Sequence, residues 1–187
     1  FDDELHHILV NQMAAFNSPV WFNVGTSRPQ QCSACFINSV QDDMKSILNL
    51  CVTEGTLFKG GSGAGSNLSK IRSKHEYLGG SNGKASGPVS FMNIINSVTE
   101  VVKQGGKRRG ANMGIMDVWH PDIEKFITNK TEPGVLENFN VSVGIWEDFW
   151  NALVNSEDGA YTLRSTRDNS PVREVNAHHL IDLMHPS

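Results

Sequence analysis

The sequence predicts an α/β fold built from parallel β/α units, and two observations carry that expectation. Short runs of β-branched and aromatic residues alternate along the chain with segments whose apolar residues recur every three or four positions. Alternation of this kind favours a parallel sheet joined by right-handed crossovers. The second observation is size: 187 residues, 39% hydrophobic and 19% charged, suffice to bury one core. No internal repeat, linker or low-complexity tract divides residues 1–187, so they are read as a single partial domain. Both ends look cut. Phe1 stands without Met inside a helical-looking stretch, and the chain stops just after HHLIDLM, which suggests a fragment of a longer protein.

The elements follow in order. Leu5, Ile8, Leu9, Met13 and Phe16 have helical spacing, predicting a helical lead-in over 1–16 with its helix at 2–16. SPVWFNVG (18–25) is a short aromatic segment with a glycine stop, and SACFINSV (33–40) reads as a buried strand. Asp42-Asp43 offers an N-cap to MKSILNLCVTEGTLF, with Met44, Ile47, Leu48, Cys51 and Val52 on one face. GGSGAGSNLSKIR (60–72) is read as a Gly/Ser turn entering a strand, and 73–88 as a long loop of the kind that is either functional or disordered. VSFMNIINSVTEVVKQ (89–104) predicts a helix with Phe91, Ile94, Ile95, Val98 and Val101 inward. ANMGIMDVW (111–119) reads as a strand, and His120-Pro121 opens a helix over 122–130. A strand (139–145), a helix (147–155), a strand (160–166) and a helix (175–184) complete the chain.

Composition excludes several functions. The net charge of −4 provides no general field for nucleic acid. Three cysteines, an odd number, argue against a secreted disulfide framework, so a reducing cytoplasm is expected. No apolar run approaches the roughly 18 residues that span a bilayer, and no membrane contact is expected.

Three stretches could carry chemistry. QQCSACFINSV (30–40) contains Cys32 and Cys35 in C-x-x-C spacing. A zinc half-site would need further ligands, and only Cys51 and His75 stand nearby, so no metal is assigned. A thioredoxin-type pair would open a helix; these cysteines precede a strand. Cys51 reads as a small buried hydrophobe. GGSGAGSN lacks both the third dinucleotide-fingerprint glycine and a Walker lysine. It is either a tight turn or a backbone that a ligand can approach closely. KQGGKRRGAN (103–112) sets Lys107, Arg108 and Arg109 on one tip, as a solvated loop or a phosphate-binding one.

Taken together, NSPVWFNVG, QQCSACFINSV, GGSGAGSNLSKIR, ASGPVSFM, GGKRRGANM and HPDIEKFI resemble, in this order, ribonucleotide reductase catalytic chains. The wording SPVWFNVG and GGSGAGSNLSKIR is closest to class II, the adenosylcobalamin-dependent type. The resemblance implies a ten-stranded α/β barrel of two five-stranded halves, with residues 17–187 as the first half. It implies that a thiyl radical abstracts the ribose 3′ hydrogen, the 2′-OH leaves as water, and a cysteine pair supplies the electrons. Deoxyribonucleotides for DNA synthesis are the product, from a ribonucleoside di- or triphosphate. The same barrel half serves iron- or manganese-dependent classes, and a non-catalytic nucleotide-binding module is the alternative of a different kind.

The resemblance also assigns residues. Cys35 would be one redox-active cysteine, its partner lying outside this stretch, with Cys32 a bystander. Val20 (through its backbone N–H), Ala34, Cys35, Ser62 and Gly63 would contact substrate. Asp42 would hold the ribose of a dNTP or ATP effector and Arg72 its phosphates, with 73–88 as one specificity loop. Gln104, Lys107 and Arg108 would belong to a second, between effector and substrate base. A thioredoxin- or glutaredoxin-type reductant and a possible homodimer are implied. The family's Asn-x-Cys-x-Glu radical motif does not occur in these 187 residues, so this stretch alone is expected to be catalytically inert.

Overall fold

The computed structural model describes residues 1–27, 30–74, 76–77, 83–104, 108–131 and 133–185, with backbone only at 103, 104, 108 and 109. The elements run α1 (Asp2–Val10), α2 (Ser18–Asn23), β1 (Cys35–Ser39), α3 (Met44–Lys59), β2 (Gly63–Asn67), α4 (Pro88–Val101), β3 (Lys103–Gln104) and β4 (Arg108–Arg109). They continue with β5 (Asn112–Asp117), α5 (Ile123–Thr128), β6 (Phe139–Gly144), α6 (Glu147–Asn155), β7 (Ala160–Arg164), β8 (Pro171–Asn176) and α7 (Ala177–Met184).

Four strands form a parallel sheet in the order β1-β2-β5-β6. Each neighbouring pair is joined through a helix, as the alternation predicted. Register places Cys35 opposite Gly63, Ile37 opposite Gly65, and Gly65 opposite Met113. Because side chains alternate across a strand, this register gives the sheet two unlike faces. Ala64, Met116 and Phe139 join one face, covered by Met92 and Ile95 of α4 and by Ile123 and Phe126 of α5, all buried. Gly114 belongs to that face for lack of room: a Cβ there would lie 3.2 Å from the Met92 methyl. The other face carries Cys35, Ile37, Gly63, Gly65 and Met113 and is largely open, with Ile37 93% exposed. A parallel sheet with helices on one face only is consistent with part of a barrel.

Several expectations need correction. The first helix ends at Val10 because Gln12 takes a left-handed conformation (φ 57°), which leaves Met13 and Phe16 beyond it; α1 buries no residue. SPVWFN is helical, with Pro19 in the first turn. β1 is an edge strand rather than a buried one. The Gly/Ser turn at 60–61 does lead into a strand, but that strand, β2, itself includes Gly63 and Gly65. On α3 the buried stripe is Ile47, Leu50, Cys51, Glu54 and Phe58, while Met44, Leu48 and Val52 face outward. Two apolar stripes run along this helix, and periodicity alone does not say which one meets the sheet. Ile94 and Val101 of α4 also face outward. Finally, β7 pairs antiparallel with β8, a strand the sequence reading did not contain, so the C-terminal region is a hairpin with α6 and α7 packed on it. β8 has an exposed, polar pattern, and Asn176 at its end caps α7 by accepting the His179 N–H at 3.1 Å.

Candidate functional site

Two groups of polar residues sit at opposite ends of α3. At 16 residues this helix is a rod of about 24 Å.

At its C-terminal end, the chain before β1 is stitched to the start of β2. The Ala34 carbonyl accepts the Gly63 N–H at 2.7 Å. The buried Ser62 hydroxyl donates to the Ser33 carbonyl at 2.6 Å and accepts from the Gln31 amide. Gly60 lies against that same amide, which a side chain there would have to displace. Asn23, at the end of α2, donates to the Gln31 carbonyl at 3.4 Å, which ties the helix bearing Val20 to this cluster. The Val20 N–H donates to Asn17 at 3.1 Å, so the backbone donor foreseen for substrate already closes the first turn of α2.

Cys35 opens β1 with its thiol free and exposed, and its carbonyl accepts the Ser33 hydroxyl at 2.9 Å. Its register partner Gly63 has no side chain, and a Cβ there would press within 3.2 Å of the Ala111 carbonyl. The cluster therefore presents a thiol beside bare backbone on the open face of the sheet, a surface on which a flat substrate could lie against peptide groups. Cys32 is also free and exposed but precedes the strand. Cys51 is buried on α3, where its thiol donates to the Ile47 carbonyl at 3.5 Å. Burial, then the Glu54 carboxyl beside it, pushes that thiol pKa up, an unreactive setting.

At the N-terminal end of α3, beyond the C-terminal ends of β1 and β2, lies a cavity of about 310 Å³ lined by Asp42, Arg72, Lys84 and Gly87 over the apolar Ile47 and Phe91. This is where ligands bind in open α/β sheets. Arg72 grips Asp42 three ways. Its Nε donates to Asp42 Oδ2 at 2.8 Å, its backbone N–H to Oδ1 at 3.0 Å, and its Nη2 to the Asp42 carbonyl at 3.3 Å. Asp43 caps α3 by accepting the Ser46 N–H at 2.9 Å. Both carboxylates of the cavity are thus engaged within the protein. Lys84 and the start of α4 remain on the same cavity, and α4 has no side-chain cap on its first turn. Arginine, lysine and uncapped helix N–H groups together suit phosphate oxygens.

Lys84 was not singled out in the sequence. The length of its loop was the only signal; Lys84 bridges Tyr77 and lines the cavity. Of the second predicted loop, Gln104 and Arg108 are described in backbone only, as register partners in the β3–β4 hairpin, while Lys107 lies outside the described residues. That hairpin sits by the C-terminal end of α3: Gly110 follows it, and a Cβ there would lie 2.8 Å from the Phe58 ring. Asp42 and Arg72 are therefore brought together, while Gln104 and Arg108 lie near the other end of the rod.

Comparison with known proteins places the chain among relatives. The family described as "Ribonucleotide reductase, barrel domain" matches residues 33–183. A vitamin B12-dependent ribonucleotide reductase of Streptomyces avermitilis is 44% identical over 98% of this chain and 21% of its own length. One of Streptomyces coelicolor is 58% identical over 71% of the chain and 14% of its own. A vitamin B12-dependent ribonucleoside-diphosphate reductase of Thermoplasma acidophilum is 43% identical over 89% and 21%. The chain thus spans about a fifth or less of the length of these relatives. A match over residues 33–183, on a parallel sheet that carries Cys35 on its open face, establishes that the chain belongs to the ribonucleotide reductase family, as part of its barrel domain.

Proposed function

We propose that this chain is the substrate- and effector-binding part of a vitamin B12-dependent ribonucleotide reductase. The relatives named above are all B12-dependent, which supports that class over an iron- or manganese-dependent one. Cys35 supplies one of two thiols. Together they deliver two electrons to the ribose 2′ carbon, leave as a disulfide, and release the 2′ oxygen as water; a thioredoxin- or glutaredoxin-type protein then restores them. Adenosylcobalamin, when bound, supplies the radical-generating chemistry.

The cavity at Asp42 and Arg72 binds the effector nucleotide, with phosphates on Arg72, Lys84 and the start of α4, and ribose hydroxyls on Asp42. The observation that carries this reading is the convergence of these groups on one cavity at the far end of α3 from Cys35. The outward apolar stripe of α3 (Met44, Leu48, Val52) and Ile94 of α4 meet a second copy in a homodimer. The Arg72→Ala variant of the full-length enzyme tests the cavity. Loss of a charge-assisted contact should weaken deoxynucleoside triphosphate binding by roughly 1–3 kcal/mol, with substrate binding near normal. Unchanged nucleotide affinity refutes the assignment.

A further inference from the structure

Behind the cavity lies a buried polar turn that the reading above does not use. His120 is fully buried between β5 and α5. Its Nδ1 accepts the Asp122 N–H at 3.0 Å. A neutral ring with its lone pair on Nδ1 carries its proton on Nε2, and Nε2 faces the Ile71 carbonyl at 2.8 Å. The ring therefore donates to the backbone immediately before Arg72. Burial holds the imidazole neutral, lowering its affinity for a second proton against the opposing pull of the Ile71 carbonyl, Asp122, Glu76 and Asp117.

Asp122 completes the turn. Its Oδ2 accepts the Lys74 N–H at 2.7 Å. The same oxygen lies 2.6 Å from where a Cβ on Gly87 would stand. Gly87 has φ +79° and is the N-cap of α4, so bare, left-handed backbone is what lets the carboxylate approach. Two side chains from one turn thus bond to the segment 71–74, one bank of the cavity, and the Asp122 carboxylate packs against Gly87 at the start of α4, the other, while neither lines its interior. Between the banks, the Ala85 N–H donates to the Glu76 carbonyl at 2.8 Å and Tyr77 bridges Lys84.

We propose that His120 and Asp122 are positioning residues for the anion-binding cavity, fixing Arg72 and the N-terminus of α4 at the separation a nucleotide triphosphate needs. The proposal rests on the effector reading above, and the test separates the two. Equilibrium binding of each deoxynucleoside triphosphate, and of substrate, is measured on the full-length enzyme and its variants. His120→Phe keeps the ring volume and removes both hydrogen bonds; nucleotide affinity should fall about tenfold or more with substrate affinity within about twofold. His120→Gln, whose amide can still donate to Ile71, should recover most of that loss, which a purely space-filling role would not predict. Asp122→Ala serves if His120→Phe does not fold, because the Asp122 side chain makes no capping bond to α5; it too should lose about tenfold. Wild-type nucleotide affinity in folded His120→Phe or Asp122→Ala, with Arg72→Ala weakened, overturns the positioning role alone. Wild-type affinity in Arg72→Ala overturns the cavity reading and this proposal with it.

Discussion

Cys32 and Cys35 are three positions apart and chemically alike, yet the chain treats them differently. Cys35 is the first residue of a strand, in register with a glycine, with its thiol directed to the open face of the sheet. Cys32 lies in the connecting segment held by Gln31, Ser33 and Ser62. In the full-length enzyme, Cys35→Ser should abolish multiple turnover with a dithiol protein reductant while substrate binding persists. Cys32→Ser should be nearly silent in the same assay. Equal losses in the two variants would return the pair to a local redox couple. At this scale the sequence was informative where a residue's setting is fixed by its immediate neighbours, as with Cys35 at the start of a strand or Asp43 capping α3. It was silent where partners come from afar. Gln31 meets Ser62 and His120 meets Ile71 only because strands bring them together, and no spacing rule encodes such a meeting.

Among the elements, α3 carries a group no motif announced. Glu54 is 2% exposed on the helix's sheet-facing stripe and accepts the Ser66 hydroxyl of β2 at 2.7 Å. Burial pushes its carboxyl pKa up from the ordinary 4.5, against smaller opposing effects of the Ser66 and Asn38 hydrogen bonds. The folded protein thus binds this proton more tightly than the unfolded chain does. Its contribution to stability is present in full below about pH 4.5 and is lost as pH rises through the folded-state value. Glu54→Gln removes that titration, so its stability relative to wild type should improve as pH rises. Denaturant unfolding of both proteins at about pH 5 and about pH 7.5 measures the difference; a difference that does not shift in favour of Glu54→Gln at the higher pH refutes the argument. The helix itself was legible from its cap and apolar spacing. Its orientation was not, since Met44, Leu48 and Val52 compete as an equally periodic stripe. The reverse failure befell β8, whose exposed residues carry no hydrophobic alternation and whose existence depends on pairing with β7.

At the scale of the molecule, the outward stripe of α3 starts at Met44, which also lines the cavity at Asp42 and Arg72. Assembly through this face would place a second subunit against the cavity mouth. Leu48, 49% exposed in the middle of the stripe, is the residue to change. In the full-length protein, Leu48→Glu should convert dimer to monomer in size-exclusion chromatography with light scattering, at protein concentrations where wild type is dimeric. A dimer of undiminished stability would exclude this face. The parallel β/α order of the whole was readable because each unit is local; the open inner face was not, since strand patterns report which residues are apolar rather than what covers them.

The open sheet has a further consequence for handling the protein. β1 and β6 are its two outer strands, each with a row of backbone groups that no other described strand pairs, and β1 adds the bare side chain of Ile37. Such borders are templates for strand addition. Prepared on its own, this unit would tend to recruit copies of itself edge to edge and precipitate, so solubility, more than folding of the individual helices, governs how much of the barrel must be expressed together.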